Sequence, residues 1–216
     1  NPDTGWGLRD ESWQAMATVG REVPLQVQVT MELTGRMLPG TEIGAALSAL
    51  DPMHPDVIGL NCATGPAEMT EHLRYLSQHA RTFLSCLPNA GLPRNEGAQV
   101  VYPLGPALFA DKVRHAAAEF GLAIVGGCCG TTPEHIRELA GRLGSLKAPR
   151  RKASPERSVA SLYASVPLAQ EPRPLIVGER TNANGSKLFR DLLAKEDYDG
   201  LVGVAREQQR EGAHVL

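Results

Sequence analysis

Ile124-Val125-Gly126-Gly127-Cys128-Cys129-Gly130-Thr131-Thr132-Pro133-Glu134-His135 is the stretch whose pattern decides the fold. An apolar strand runs into two glycines and two adjacent cysteines, and a helix opens at once behind them. Leu122 to Val125 supply the strand; Ile136, Leu139 and Leu143 supply the apolar face of the helix. Pro133 suits the first helical turn, where a missing N–H costs nothing. Thr131 with Glu134 fits a capping box.

The same strand-turn-helix unit recurs upstream. Val57 to Cys62 reads as a strand ended by Ala63-Thr64-Gly65-Pro66, with a helix behind it through Met69, Leu73 and Leu76. Thr82 to Leu87 reads as the next strand, ended by Pro88-Asn89-Ala90-Gly91. A long loop then leads to Gly105-Pro106 and a helix through Leu108, Val113 and Phe120. Earlier still, Val27, Val29 and Met31 alternate with polar residues as a strand does. Gly35 and Pro39-Gly40 mark a loop, and Thr41 with Glu42 starts a helix through Leu50. In the last three units a proline (Pro66, Pro106, Pro133) stands where the helix begins. Of the first 20 residues, Asp10 is expected to cap a short helix through Trp13, Met16 and Ala17, with Trp6 and Trp13 as packing residues.

Four such units imply an α/β fold with a parallel sheet covered on its faces. A (β/α)8 TIM barrel needs eight units and typically ~250 residues, so residues 1–143 are expected to be the second half of a barrel. An open doubly wound sheet is the alternative, although no G-x-G-x-x-G follows a first strand. Residues 144–174 lose this periodicity. They contain Pro149, Pro155, Pro167, Pro172 and Pro174 and the basic run Lys147 to Lys152, and are expected to be a solvated interdomain linker. Leu175 to Gly178 then reads as a new strand, with helices from about Ser186 to Ala194 and Tyr198 to Glu211. Ala213 to Leu216 looks like a further strand. Residues 175–216 are therefore expected to begin a second barrel.

Composition narrows the function. The 216 residues are 42% hydrophobic and 21% charged, with a net charge of −2, so nothing draws the chain generally to nucleic acid or an anionic membrane. No apolar run approaches the ~20 residues of a membrane helix, and no signal peptide is visible. Four cysteines in this length are not a secreted disulfide framework, which favours a reducing, cytoplasmic setting.

Cys128 and Cys129 cannot easily bond to each other, because neighbouring Cα atoms sit only ~3.8 Å apart. A metal can accept both thiolates. Cys62 occupies the corresponding place in its own unit, and in a parallel α/β fold the C-terminal strand ends form one face. Three thiolates with an open position describe a catalytic zinc site, and four protein ligands a structural one. Buried core cysteines are the plain alternative, most of all for Cys62. Cys86 lies mid-strand and reads as a core residue, but as a fourth thiolate it would close the site. Asn89 stands at a strand end, as a turn residue or a member of the site. His72, His79, His115 and His135 fall within helical segments and read as surface or packing residues. A metal held by three thiolates with a free position binds a substrate thiol and deprotonates it, which points to thiol alkylation rather than hydrolysis. A redox role is disfavoured, because a vicinal pair lacks C-x-x-C geometry.

Leu60-Asn61-Cys62-Ala63-Thr64-Gly65-Pro66, Pro88-Asn89-Ala90-Gly91-Leu92-Pro93 and Gly126 to Pro133 closely resemble the zinc-dependent homocysteine S-methyltransferase domain. Val177-Gly178-Glu179-Arg180-Thr181-Asn182 resembles the opening of a pterin-binding, methyltetrahydrofolate-dependent domain. This order is that of the cobalamin-dependent methionine synthase family. The resemblance covers about residues 25–216. It implies that Cys62, Cys128 and Cys129 bind Zn2+, with homocysteine sulfur as fourth ligand, and that Asn89 is a candidate ligand when homocysteine is absent. It further implies methyl transfer from cobalamin, recharged by methyltetrahydrofolate near Glu179 and Asn182, with cobalamin-binding and reactivation domains elsewhere in one longer chain. A stand-alone methyltransferase with another donor, and a structural zinc module closed by Cys86, are the alternatives.

Overall fold

The computed structural model describes residues 14–21, 23–97, 99–144, 146–147 and 149–216. Trp6, Asp10 and Trp13 lie outside the described residues; Met16 and Ala17 fall in a helical stretch over 14–19. In chain order the first elements are β1 (Gln26–Val29), α1 (Ile43–Leu50), β2 (Val57–Asn61), α2 (Thr70–His79) and β3 (Phe83–Leu87). Next come β4 (Arg94–Glu96), β5 (Gln99–Val101), α3 (Pro106–Phe120), β6 (Ile124–Val125) and α4 (Pro133–Leu143). Two short strands, β7 (Ser158–Ala160) and β8 (Ser165–Pro167), pair with each other, and α5 (Lys187–Ala194) and α6 (Tyr198–Arg210) complete the chain.

The chain is an α/β protein built on a parallel sheet of order β1-β2-β3-β6. Val29, Ile58, Leu60, Leu84 and Cys86 point to one face, where they pack on Leu73 and Leu76 of α2 and on Ala116, Ala117 and Phe120 of α3. Full burial of each leucine contributes about 1.5–3 kcal/mol, so this contact organises the layer. The other face carries Gln26, Gln28, Gly59 and Ser85 in one register row or its neighbours. A Cβ on Gly59 would lie 1.9 Å from Ser85 Oγ. The bare position lets Gln26 and Gln28 reach over β2 and donate to that oxygen at 3.2 and 3.0 Å. Phe83 and Ile124, also on this face, are 67% and 40% exposed.

Several expectations shift in detail. Pro66 opens a turn, and α2 begins four residues later at Thr70; Pro106 and Pro133 do start their helices. The α4 cap is Thr132, not Thr131, and its N3 partner is His135 rather than Glu134. Thr131 instead donates its hydroxyl to Cys128 O at 2.6 Å. The long loop after β3 contains the antiparallel β4–β5 hairpin, whose three-residue strands are too short for a periodicity argument. Residues 175–178 make an isolated parallel bridge, Val177 to Val215, in place of a full strand.

Residues 1–156 with 160–165 form one compact unit, and residues 157–159 with 166–216 a second. In the first, the basic run is not wholly solvated. Arg151 donates to the carbonyls of Leu76, Ser77 and Ala80 at 3.4, 3.1 and 3.1 Å and also to that of Thr82. The last carbonyls of α2 lack helical partners, and a guanidinium fork satisfies several at once. In the second unit, Arg180 N–H donates to the buried Gln208 Oε1 at 2.7 Å, fastening the turn after Gly178 to α6.

Candidate metal centre

The C-terminal ends of β2, β3 and β6 meet at one edge of the sheet, and three turns follow them. Cys62 N–H donates to Leu87 O at 3.1 Å, Asn89 N–H to Thr64 O at 3.0 Å, Cys128 N–H to Pro88 O at 2.8 Å and Ala90 N–H to Cys129 O at 2.9 Å. Each turn is therefore also held by its neighbour.

Strand alternation would aim residue 62 at the same helix-covered face as Leu60. Instead Cys62 and Ala63 adopt φ of 59° and 56°, and Thr64 N–H closes the turn on Cys62 O at 2.6 Å. The left-handed region costs a residue with a Cβ roughly 1–2 kcal/mol, a strain that persists only where surroundings enforce it. Its result is that Cys62 faces the cysteine pair. In the third turn, Gly130 has the positive φ, at 77°. Gly126 and Gly127 serve close packing: a Cβ there would lie 2.7 Å from Leu87 Cδ2 and 2.4 Å from Thr131 Cγ2.

Cys62, Cys128 and Cys129 are thereby gathered with their sulfurs all within 4.8 Å of one another. Cys62 Sγ is 3.6 Å from Cys129 Sγ, and Cys128 Sγ is 3.8 Å from Cys129 Sγ. These are not disulfide lengths; all are free thiols. With Zn–S near 2.3 Å, a tetrahedral site has an S···S edge of ~3.8 Å, so the two separations to Cys129 match the edge of a zinc tetrahedron and the third is within 4.8 Å. Cys86 is elsewhere. It is 1% exposed, its Sγ sits 3.7 Å from Met69 Sδ, and burial pushes its thiol up to about 12. It does not supply a fourth thiolate.

The sulfurs differ electrostatically. Burial pushes the Cys62 thiol up, but the Ala63 N–H and hydrogen bonds from Cys129, Cys128 and the Asn89 side chain outweigh it and leave Cys62 below its ordinary value. Cys128 is pushed up to about 11 by burial and by its hydrogen bonds to, and the charge of, its cysteine neighbours. Clustering makes successive deprotonations harder in the absence of a cation.

Asn89 is 3% exposed and accepts the Cys129 N–H on Oδ1 at 3.1 Å. That bond ties the second turn to the third. Two residues outside the sequence motifs complete the surroundings. Tyr102, just after β5, lays its ring over Gly130, where a Cβ would come 2.2 Å from ring Cγ. Burial, then the charge of and hydrogen bond to Cys129, raise its phenol above the ordinary value. His135, 6% exposed, accepts the Thr132 N–H on Nδ1 at 3.1 Å and lies 2.8 Å from Leu104 O through Nε2. That pairing requires the proton on Nε2. The run Gln99-Val100-Val101-Tyr102 was the available signal for Tyr102, and Thr-Pro-x-His that for His135. In the second unit, Glu179 and Asn182 are exposed at the turn after the Val177 bridge. Asn182 Oδ1 accepts the Asn184 N–H at 3.0 Å, and a Cβ on Gly185 would lie 2.1 Å from Glu179 Oε1.

A parallel α/β unit with three convergent thiols at its strand ends has the donor set to hold a metal, and its family is defined by sequence. The family profile described as homocysteine S-methyltransferase matches residues 10–143, and the chain belongs to that family. Among curated relatives, methionine synthase of Mycobacterium tuberculosis is 54% identical over 205 residues, 95% of this chain and 17% of the relative. Methionine synthase of Mycobacterium leprae is 53% identical over 210 residues, with the same two coverages of 95% and 17%. The chain thus spans about a sixth of the length of these relatives.

Proposed function

We propose that this chain is part of a cobalamin- and methyltetrahydrofolate-dependent methionine synthase and that it transfers a methyl group to the thiolate of homocysteine. The observation that carries the reading is the convergence of three sulfurs within 4.8 Å, two of whose separations match a tetrahedral edge. Residues 1–143 are the second half of a (β/α)8 barrel, 144–174 a linker and 175–216 the start of a pterin-binding barrel. In support, the sheet runs in sequential parallel order, and its second face exposes Phe83 and Ile124, apolar side chains that a closed barrel would cover. The match to relatives about six times longer supports cobalamin-binding and reactivation domains in the same chain.

Cys62, Cys128 and Cys129 would hold Zn2+ at their Sγ atoms. When bound, the ion supplies the charge that lets a substrate thiol exist as thiolate at neutral pH. The chain's own contribution is positional. The backbone bonds between turns fix the three sulfurs, Asn89 accepts the Cys129 N–H, and Cys129, exposed, leaves a side open to substrate. Three thiolates against a dication leave one net negative charge, which keeps an entering sulfur electron-rich. Glu179 and Asn182 would contact the pterin. Among the described residues no helix is long and apolar enough to cross a membrane, and free thiols suit a reducing cytoplasm.

The test is metal analysis with X-ray absorption on the full-length protein. Three sulfurs rising to four on adding homocysteine support the reading. Four sulfurs without homocysteine would establish a closed structural site and overturn it. A stand-alone methyltransferase with another donor is disfavoured by residues 175–216, and absence of methyltetrahydrofolate-dependent turnover would revive it.

A further inference from the structure

His135 stands in the first turn of α4, where Nδ1 accepts the Thr132 N–H at 3.1 Å and Nε2–H is donated to Leu104 O at 2.8 Å. Its ring is 6% exposed and meets the fully buried Phe109 edge to face, with centroids 5.5 Å apart. A side chain at this place in a capping box needs only an acceptor for the N-cap N–H, so the second bond, to Leu104, exceeds what capping requires. That bond lies on a closed circuit. Cys129 O accepts the Ala90 N–H at 2.9 Å, Ala90 O accepts the Leu104 N–H at 2.9 Å, and Leu104 O accepts the His135 Nε2–H. From Nδ1 the circuit returns to Thr132, three residues after Cys129.

We propose that His135 is a positioning residue of the metal centre, whose Nε2–H bond to Leu104 O closes this ring and fixes the far end of the Cys128–Cys129 turn. The proposal rests on Cys62, Cys128 and Cys129 being metal ligands. The near end of the turn is held by β3 and its continuation: Gly126 N–H donates to Cys86 O at 3.1 Å and Cys128 N–H to Pro88 O at 2.8 Å. Immediately beyond Cys129 stands Gly130, at φ 77°, a residue with little resistance to backbone rotation. With the far end free, α4 can shift about Gly130, and the displacement passes to Cys129, the most exposed of the three thiols. With it fastened, one peptide, that of Leu104, ties the start of α4 to Ala90 of the β3 turn. Contacts of this outer kind orient the ligands of a metal site.

The test compares wild type, His135→Asn and His135→Gln in the full-length protein, with Leu139→Ala as a control that destabilises the same helix without touching the ring. Asn is one bond shorter than Gln: its Oδ1 falls near the place of Nδ1 and keeps the cap, but its amide does not reach Leu104 O. Gln carries an amide N–H to the place of Nε2 and keeps the bond to Leu104. Three readouts are taken: zinc affinity by chelator competition, the sulfur-to-cobalt bands of the Co2+ form, and the alkylation rate of Cys129 in the metal-free protein. His135→Asn should lower zinc affinity about 10–100-fold, alter the cobalt bands and speed alkylation, while His135→Gln restores all three and Leu139→Ala leaves the bands as in wild type. A His135→Asn protein that superimposes on wild type overturns the proposal, because the cap alone would then suffice. So does a Leu139→Ala protein with the same altered bands, or a folded His135→Gln protein that is not restored. Wild-type protein that takes up no stoichiometric metal sinks the ligand assignment instead, and the alkylation rates still report on the ring.

Discussion

Asn89→Ala is the most informative single change. The substitution removes the Oδ1 that accepts the Cys129 N–H at 3.1 Å and the side-chain contact that favours the Cys62 thiolate. The residue is 3% exposed, so water does not readily replace either partner. An orphaned buried donor costs about 1–3 kcal/mol, which should appear as lowered unfolding stability of the metal-free protein. Zinc affinity should fall about 10–100-fold, the usual cost of losing an outer-shell contact. A chromophoric chelator competition on the full-length protein measures it, with denaturant unfolding in parallel. Asn89→Asp keeps the acceptor and should recover most of the unfolding stability. Zinc affinity in Asn89→Ala within twofold of wild type, together with unchanged stability, would refute the reasoning that the β3 turn holds the other two in place.

Cys128→Ala should abolish stoichiometric zinc and methyl transfer together; retained zinc at normal affinity would remove Cys128 from the ligand set. Gly59→Ala forces a methyl group 1.9 Å from Ser85 Oγ, and overpacking of this kind typically costs about 1–3 kcal/mol, read as a lower denaturation midpoint. The metal-free protein should lose stability as pH rises from about 9 to about 11. Over that window Cys128, pushed up to about 11 from an ordinary 9.0, keeps in the folded state a proton that the unfolded chain has released. Zinc uptake must displace that proton, so affinity should climb with pH below the same window, and a calorimetric titration in buffers of different ionisation enthalpy counts the protons.

The parallel sheet was legible because buried parallel strands are near-continuous apolar runs closed by turn residues. Val57-Ile58-Gly59-Leu60 and Phe83-Leu84-Ser85-Cys86-Leu87 show this plainly. The three cysteines were legible for a related reason: topology sends every strand end to one edge, so sequence-distant residues at equivalent places converge. What escaped was whatever depends on short or tertiary-enforced structure. The β4–β5 strands have three residues each, and so Tyr102 lacked a placed element. The shift of the α4 cap from Thr131 to Thr132 follows from His135 Nδ1 facing the Thr132 N–H, a role for histidine that the usual Glu or Gln capping pattern does not anticipate. Arg151 looked like one member of a solvated basic run because nothing local reveals that α2 carbonyls wait for it.

The paired left-handed residues Cys62 and Ala63 bear on how the centre responds to demetallation. A turn that its own residues disfavour is maintained by bonds from β3 and from Thr64, none of which involves an ion. On the proposed zinc assignment, loss of metal would leave the scaffold poised, and recapture would need no search through backbone conformations. Reciprocity gives the other side: unfolding of the β3 turn would release about 2–4 kcal/mol of backbone strain at 62 and 63 and scatter the sulfurs at the same moment. On the proposed assignment of Cys62, Cys128 and Cys129 as ligands, metal retention reports the integrity of β3, a strand that contributes none of the three.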